Sequence, residues 1–108
     1  MTVRGKYHNT RVWYAGYTFD SQAEMRRYQE LCLLRAAGNI TDLAVHPAYP
    51  LVVNGVVVAN YVADFSYIET ATGREVVEDV KGVRTDVYRI KRKLMLACHN
   101  ITIQEVEA

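Results

Sequence analysis

Between Leu43 and Lys81 the chain carries one long succession of strand-type residues, broken by strong turn chemistry at two places, and this succession limits the fold more than any other feature. From Leu43 to Val58 the residues are dominated by Val, Leu, Ala and Tyr, and Asn54-Gly55 stands between two valine runs. Asn and Gly both tolerate positive φ, which a two-residue loop needs to match the twist of its strands, so the segment reads as a hairpin. Ala59 to Ile68 then alternate, Thr70-Ala71-Thr72-Gly73 supplies a turn, and Arg74 to Lys81 forms the returning strand, ended by Gly82.

The period changes on either side. Val12 to Phe19 is aromatic and β-branched around Gly16, which fits a short strand or a tight hairpin. Ser21 followed three residues later by Glu24 is a capping box, and Met25, Tyr28, Leu31 or Cys32, and Arg35 recur at helical spacing until Gly38, predicting a helix over residues 21–37. Val87, Ile90, Leu94, Ala97 and Cys98 mark one apolar face of a second helix, and Ile101-Thr102-Ile103 reads as a last strand. The order β-α-β-β-β-α-β predicts an α/β (α+β) sandwich whose mixed sheet is flanked by two helices. Trp13 and Tyr14 are expected in the core or at a contact between subunits, and Met25 and Met95 in the core.

A chain of 108 residues supports one hydrophobic core, and it contains no repeat or linker, so residues 1–108 are read as a single domain. Half its residues are hydrophobic and 23% are charged, which excludes a disordered or fibrous chain. No stretch is apolar over the roughly 18 residues a membrane span requires, and the N-terminal MTVRGKYHNTR lacks the apolar stretch of a signal peptide, so a cytoplasmic protein without membrane contact is expected. Cys32 and Cys98 show no metal-ligand spacing and read as buried free thiols.

The formal charge of +1 conceals an asymmetry. Residues 1–19 hold Arg4, Lys6 and Arg11 with no acid, and residues 84–93 hold Arg84, Arg89, Lys91, Arg92 and Lys93 against Asp86, leaving an acidic remainder. Such a distribution suits a chain that grips a polyanion and reserves its carboxylates for something else; solvated basic surfaces are the plainer account. At 100° per residue, Arg84, Tyr88, Lys91 and Arg92 form one stripe beside the apolar face of the second helix, suited to phosphate contacts. Arg4, Lys6, Tyr7, His8 and Arg11 within residues 1–11 make either a flexible basic arm or a disordered end. No base-reading motif is present.

In the second hairpin, a four-residue turn at 70–73 sets Glu69 opposite Arg74, and the same register sets Asp64 opposite Asp79. Alternation puts Asp79 and Lys81 on one face and Glu78 on the other. Opposed carboxylates destabilise a sheet unless they share a proton, bind a cation or face water. If a cation is the remedy, oxygen donors favour Mg²⁺ or Mn²⁺, and Lys81 is placed to steer a nearby water toward a phosphate; the alternative makes Lys81 a simple ion-pair partner. His8, His46 and His99 are scattered, and His46 before Pro47 reads as a strand-edge residue rather than a general base.

Ala63-Asp64-Phe65 followed by Asp79-Val80-Lys81 resembles the D…(D/E)xK signature of the PD-(D/E)XK nucleases, with Ala63 in place of the leading proline. The ordered set Lys6-Tyr7 with Asn9, Phe19-Asp20-Ser21 with Glu24 and Tyr28, Ala63-Asp64-Phe65, and Glu78 to Gly82 with Thr85, Tyr88 and Lys91 resembles a small phage-type family, domain of unknown function 1064, over about residues 6–103. Gln22 departs from that pattern, where a lysine is expected. A related architecture occurs in phage Holliday-junction resolvases. The resemblance implies a restriction-endonuclease-like sheet with core order α-β-β-β-α-β and Mg²⁺-dependent (or Mn²⁺-dependent) endonuclease activity. It implies Glu24, Asp64, Asp79 and the Val80 carbonyl as metal ligands, with Lys81 as the catalytic lysine. It also implies DNA contacts from Lys6, Arg11, Arg84, Thr85, Tyr88, Lys91 and Arg92. Glu24 has a competing role, since a capping box needs a glutamate there. DNA, branched for preference, is the expected partner, and cutting two strands would call for a homodimer. The rival expectations are a non-catalytic DNA-binding accessory module and a nuclease acting on RNA or single-stranded DNA.

Overall fold

Among residues 11–108, five non-glycine residues and four glycines adopt positive φ, and most of them lie where the chain turns a corner. A computed structural model of the chain describes residues 11–108. Strands β1 (Val12–Tyr14) and β2 (Tyr17–Phe19) form a hairpin, and helix α1 (Gln22–Ala36) follows. Next come β3 (Ile40–Val45), β4 (Ala48–Val53), β5 (Val56–Val62), β6 (Phe65–Glu69) and β7 (Glu75–Lys81), then helix α2 (Asp86–His99) and β8 (Gln104–Glu107). The main sheet has the order β3-β6-β7-β8, antiparallel except for the parallel β7–β8 pair, and β4–β5 forms a separate hairpin. The result is the expected mixed α+β arrangement, and its sheet with α1 and α2 follows the chain order α-β-β-β-α-β.

Asn54 and Gly55 take φ of 51° and 80°, the two positive values an Asn-Gly hairpin loop requires. The β6–β7 register is the one the turn chemistry predicts, with Phe65 opposite Glu78 and the Glu69 amide donating to the Arg74 carbonyl at 2.9 Å. Ser21 caps α1 through its hydroxyl, and Thr85 caps α2 in the same way.

The sheet separates two cores. On one face α1 packs Tyr28 and Leu31 on Phe65, Tyr67 and Val76, with Phe19 and Ile40 completing the cluster. On the other, α2 and the β4–β5 hairpin bring Tyr88, Met95, Leu51 and Tyr61 onto Ala63, Val77 and Ile103. Both cysteines are free but half-buried rather than buried.

Three further expectations are corrected. The alternating run Ala59 to Ile68 is two strands, because the chain leaves β5 at Val62 and bends at Asp64 before entering β6. The second helix buries Tyr88 and Met95 and leaves Val87 and Ile90 exposed: the ring of Tyr88 fills the space against Tyr61, so the helix is rotated from the face its aliphatic residues suggest. Ile101 and Ile103 pack into the core after Asn100 turns left-handed at φ 57°, and the last strand is the polar Gln104–Glu107 beside β7. Of the two places expected for Trp13, its 73% exposure sets aside the core of the chain. No helix among the described residues is long and apolar enough to cross a membrane.

Candidate metal centre

The site forms where three chain breaks meet: the N-terminus of α1, the β3–β4 corner and the bend before β6. Glu24 lies in the first turn of α1, where its amide donates to Ser21 Oγ at 3.1 Å. Its carboxylate does not return to the Ser21 amide as a reciprocal capping box would; Oε1 accepts from the Asp20 amide at 3.1 Å. The side chain is nonetheless only 3% exposed, so Glu24 both supports the cap and presents a buried acid. Burial, followed by the hydrogen bond and charge of the neighbouring Asp64, pushes its pKa up to about 9.

The expected pairing of Asp64 with Asp79 falls just outside the ladder, which ends at Phe65 opposite Glu78; Asp64 sits in the preceding bend with its amide on the Glu78 carbonyl at 3.2 Å, and the two carboxylates are joined instead through side-chain bonds to each other's backbone. Asp79 Oδ1 accepts from the Asp64 amide at 3.1 Å, and Asp64 Oδ2 accepts from the Val80 amide at 2.7 Å. Those crossed bonds fix one oxygen of each carboxylate and leave the other free of the backbone. Asp79 is 2% exposed, and among the described residues its Oδ2 has no hydrogen-bond partner; Lys81 Nζ lies 3.8 Å from it. Burial raises the Asp79 pKa to about 6 against the opposing pull of Lys81. Lys81 is held in turn over the ring of Tyr88, 4.1 Å from its centroid.

Glu78 points to the opposite face, as alternation requires. It is fully buried, with Arg27 Nε and Nη2 donating to its two oxygens at 2.9 and 2.7 Å and the Tyr67 hydroxyl also donating. With both oxygens satisfied, Glu78 anchors α1 to β7 and has no free donor atom to offer a ligand.

His46, expected only as a strand-edge residue, lies in the site. Its Nε2 lies 3.4 Å from Glu24 Oε1, and ligand atoms of Glu24, His46 and Asp64 all fall within 4.8 Å of one another. Asp79 stands outside that group, joined to it through the Asp64 backbone. The local signal for His46 is the His46-Pro47 pair, which marks a corner but does not say what the ring faces.

The expected DNA-contacting residues are arranged differently from a free basic stripe. Arg84 and Arg92 each donate to Glu105 at 2.8 Å, the Tyr88 hydroxyl does so at 2.8 Å, and Arg84 also reaches Glu107 at 3.0 Å. Led by its hydrogen bond from Arg84, this set lowers the Glu105 pKa to about 2. Lys91 is half-buried on the same helix, and the Thr85 hydroxyl is engaged as the cap of α2. Arg11 pairs with Asp20 at 3.5 Å, both exposed; Lys6 lies outside the described residues.

No curated protein and no solved structure is significantly similar to the chain. The family model described as "Protein of unknown function (DUF1064)" matches residues 4–104, a span that includes Glu24, His46, Asp64, Asp79 and Lys81. The chain therefore belongs to the DUF1064 family.

Proposed function

We propose that the chain is a divalent-metal-dependent endonuclease of the PD-(D/E)XK type that hydrolyses phosphodiester bonds in DNA. The observation that carries this reading is the crossed Asp64–Asp79 pair, in which a carboxylate oxygen is buried without a donor and a lysine stands 3.8 Å away. An unsatisfied buried acceptor costs about 1–3 kcal/mol, and a cation is the group that satisfies it beside further carboxylates. The residues fit such a group: Glu24, Asp64 and Asp79 offer oxygen, the donor type that suits Mg²⁺ and Mn²⁺, with the Val80 carbonyl as a further ligand. When bound, such a cation polarises a phosphate oxygen and acidifies water.

The chain's own residues supply the rest. Lys81, oriented by the Asp79 carboxylate and the Tyr88 ring, holds a fixed positive charge where a phosphate gains negative charge during hydrolysis. Branched DNA such as a four-way junction is the favoured substrate, and a symmetric homodimer would bring two sites to its two strands. The test is cleavage of labelled four-way-junction, duplex and single-stranded DNA with Mg²⁺ or Mn²⁺, comparing wild type with Lys81→Ala. Metal-dependent cutting that disappears in the variant supports the reading and ranks the substrates. DNA binding without cutting by the wild type would make the chain an accessory module instead, and cutting of RNA alone would change the substrate.

A further inference from the structure

His46 occupies a position that secondary structure alone does not explain. It follows the last residue of β3, its amide donates to the Asp64 carbonyl at 2.9 Å, and its φ of 55° lies in the left-handed region immediately before Pro47. A non-glycine residue held there stores strain, and the result here is an imidazole turned toward Glu24 rather than along the strand. The contact itself does not account for that conformation: at 3.4 Å it is longer than a good N–H···O bond. Around the ring stand two carboxylates from different elements, Glu24 and Asp64, and beyond Asp64 the almost fully buried Asp79 with its unpartnered Oδ2.

Two ligands on one ion at about 2.1 Å are at most about 4.2 Å apart, so a group spanning up to 4.8 Å needs a contraction of a few tenths of an ångström to close on a cation. Imidazole changes what that cation is. Carboxylates alone suit Mg²⁺, whereas a nitrogen donor adds little for Mg²⁺ and more for first-row transition dications.

We infer that His46 is a direct metal ligand that makes the centre a mixed nitrogen and oxygen site, selective for a transition dication such as Mn²⁺ over Mg²⁺. This rests on the reading that Glu24, Asp64 and Asp79 hold a divalent cation, and it adds the ligand that sets which one. The imidazole enters as the neutral ring, through Nε2, the nitrogen that faces the carboxylates.

The experiment is Mn²⁺ binding to the full chain, by titration calorimetry and by pulsed electron paramagnetic resonance, which detects a nitrogen nucleus coordinated to the ion. The expected result is Mn²⁺ bound more tightly than Mg²⁺, with a directly coordinated nitrogen signal in the wild type. In His46→Gln the signal is lost and Mn²⁺ affinity falls about 10-fold to 100-fold, at least the range that loss of an outer-sphere partner costs, while Mg²⁺ affinity changes less. Mn²⁺ bound with an Asp64-dependent affinity but without nitrogen coupling overturns the role of His46 and leaves the carboxylate site standing. Failure of the wild type to bind either ion overturns both. The spectrum of the wild type decides the matter even if the variant folds poorly.

Discussion

Replacing Glu24 by Gln should make the metal-free protein's stability far less sensitive to pH, and the size of the effect follows from its surroundings. The Glu24 carboxyl keeps its proton to about pH 9 in the folded state, against 4.5 for an ordinary glutamate. Between those values the folded state binds one proton more than the unfolded chain, so stability is greatest below pH 4.5 and is lost as pH rises toward 9. A difference of one bound proton corresponds to a loss of roughly 3 kcal/mol between pH 6 and 8. Asp79, raised from 3.8 to about 6, adds a second slope of the same sign below that window. For a domain of this size the loss corresponds to roughly 10–20 °C in Tm. The assay is thermal and urea unfolding in EDTA at pH 6, 7 and 8 for wild type and Glu24→Gln. A wild-type Tm that falls steeply, against a shallow dependence in the variant, is expected. Saturating Mn²⁺ should reverse the wild-type trend, because binding requires the deprotonated carboxylates and so gains with pH. Parallel pH profiles for the two proteins in EDTA would refute the reasoning, since they would mean that Glu24 titrates alike in the folded and unfolded states.

Other consequences follow from residues around the site. Arg27→Met leaves the fully buried Glu78 without its cation and should cost about 3–5 kcal/mol in urea unfolding; adding Glu78→Gln should restore most of that, since the pair costs most when broken on one side. Gly55→Ala meets no atom within 4 Å but must hold φ near 80°, so a loss of about 1–2 kcal/mol is expected from conformation alone. Glu105→Gln releases the charge that engages Arg84 and Arg92, so affinity for duplex DNA should rise, with a steeper dependence on salt measured by fluorescence anisotropy; an unchanged salt slope would mean these arginines do not reach phosphate.

Much of the central geometry is legible in the sequence because it is local. The turn Thr70–Gly73 fixes the β6–β7 register, and that register pairs Glu78 with Phe65 and leaves Asp79 at the end of the ladder, next to the bend that carries Asp64. The Asn54-Gly55 loop and the Ser21 cap are equally local. What escapes is whatever depends on distant packing. The bend at Asp64 interrupts no hydrophobic pattern, so the run from Ala59 to Ile68 gives no sign that it divides between a separate hairpin and the main sheet. The rotation of α2 is set by the Tyr88 ring, which reads as polar in a periodicity argument yet fills the core better than Val87 or Ile90. His46 reaches Glu24 through a left-handed corner and a β3 strand with a register shift between Thr41 and Ala44, neither of which propensity announces. The charge pattern of α2 is visible, but its partner Glu105 comes from a strand whose position depends on how Ile101 and Ile103 close the helix end.

The most direct test of the account compares wild type with Asp79→Asn on a labelled four-way junction, measuring binding in EDTA and single-turnover cleavage after addition of Mn²⁺. Both proteins are expected to bind the junction alike without metal, with cleavage confined to the wild type, because the variant loses the buried carboxylate that a cation would need. Cleavage retained in Asp79→Asn, or none from a folded wild type with either Mn²⁺ or Mg²⁺, would contradict that expectation.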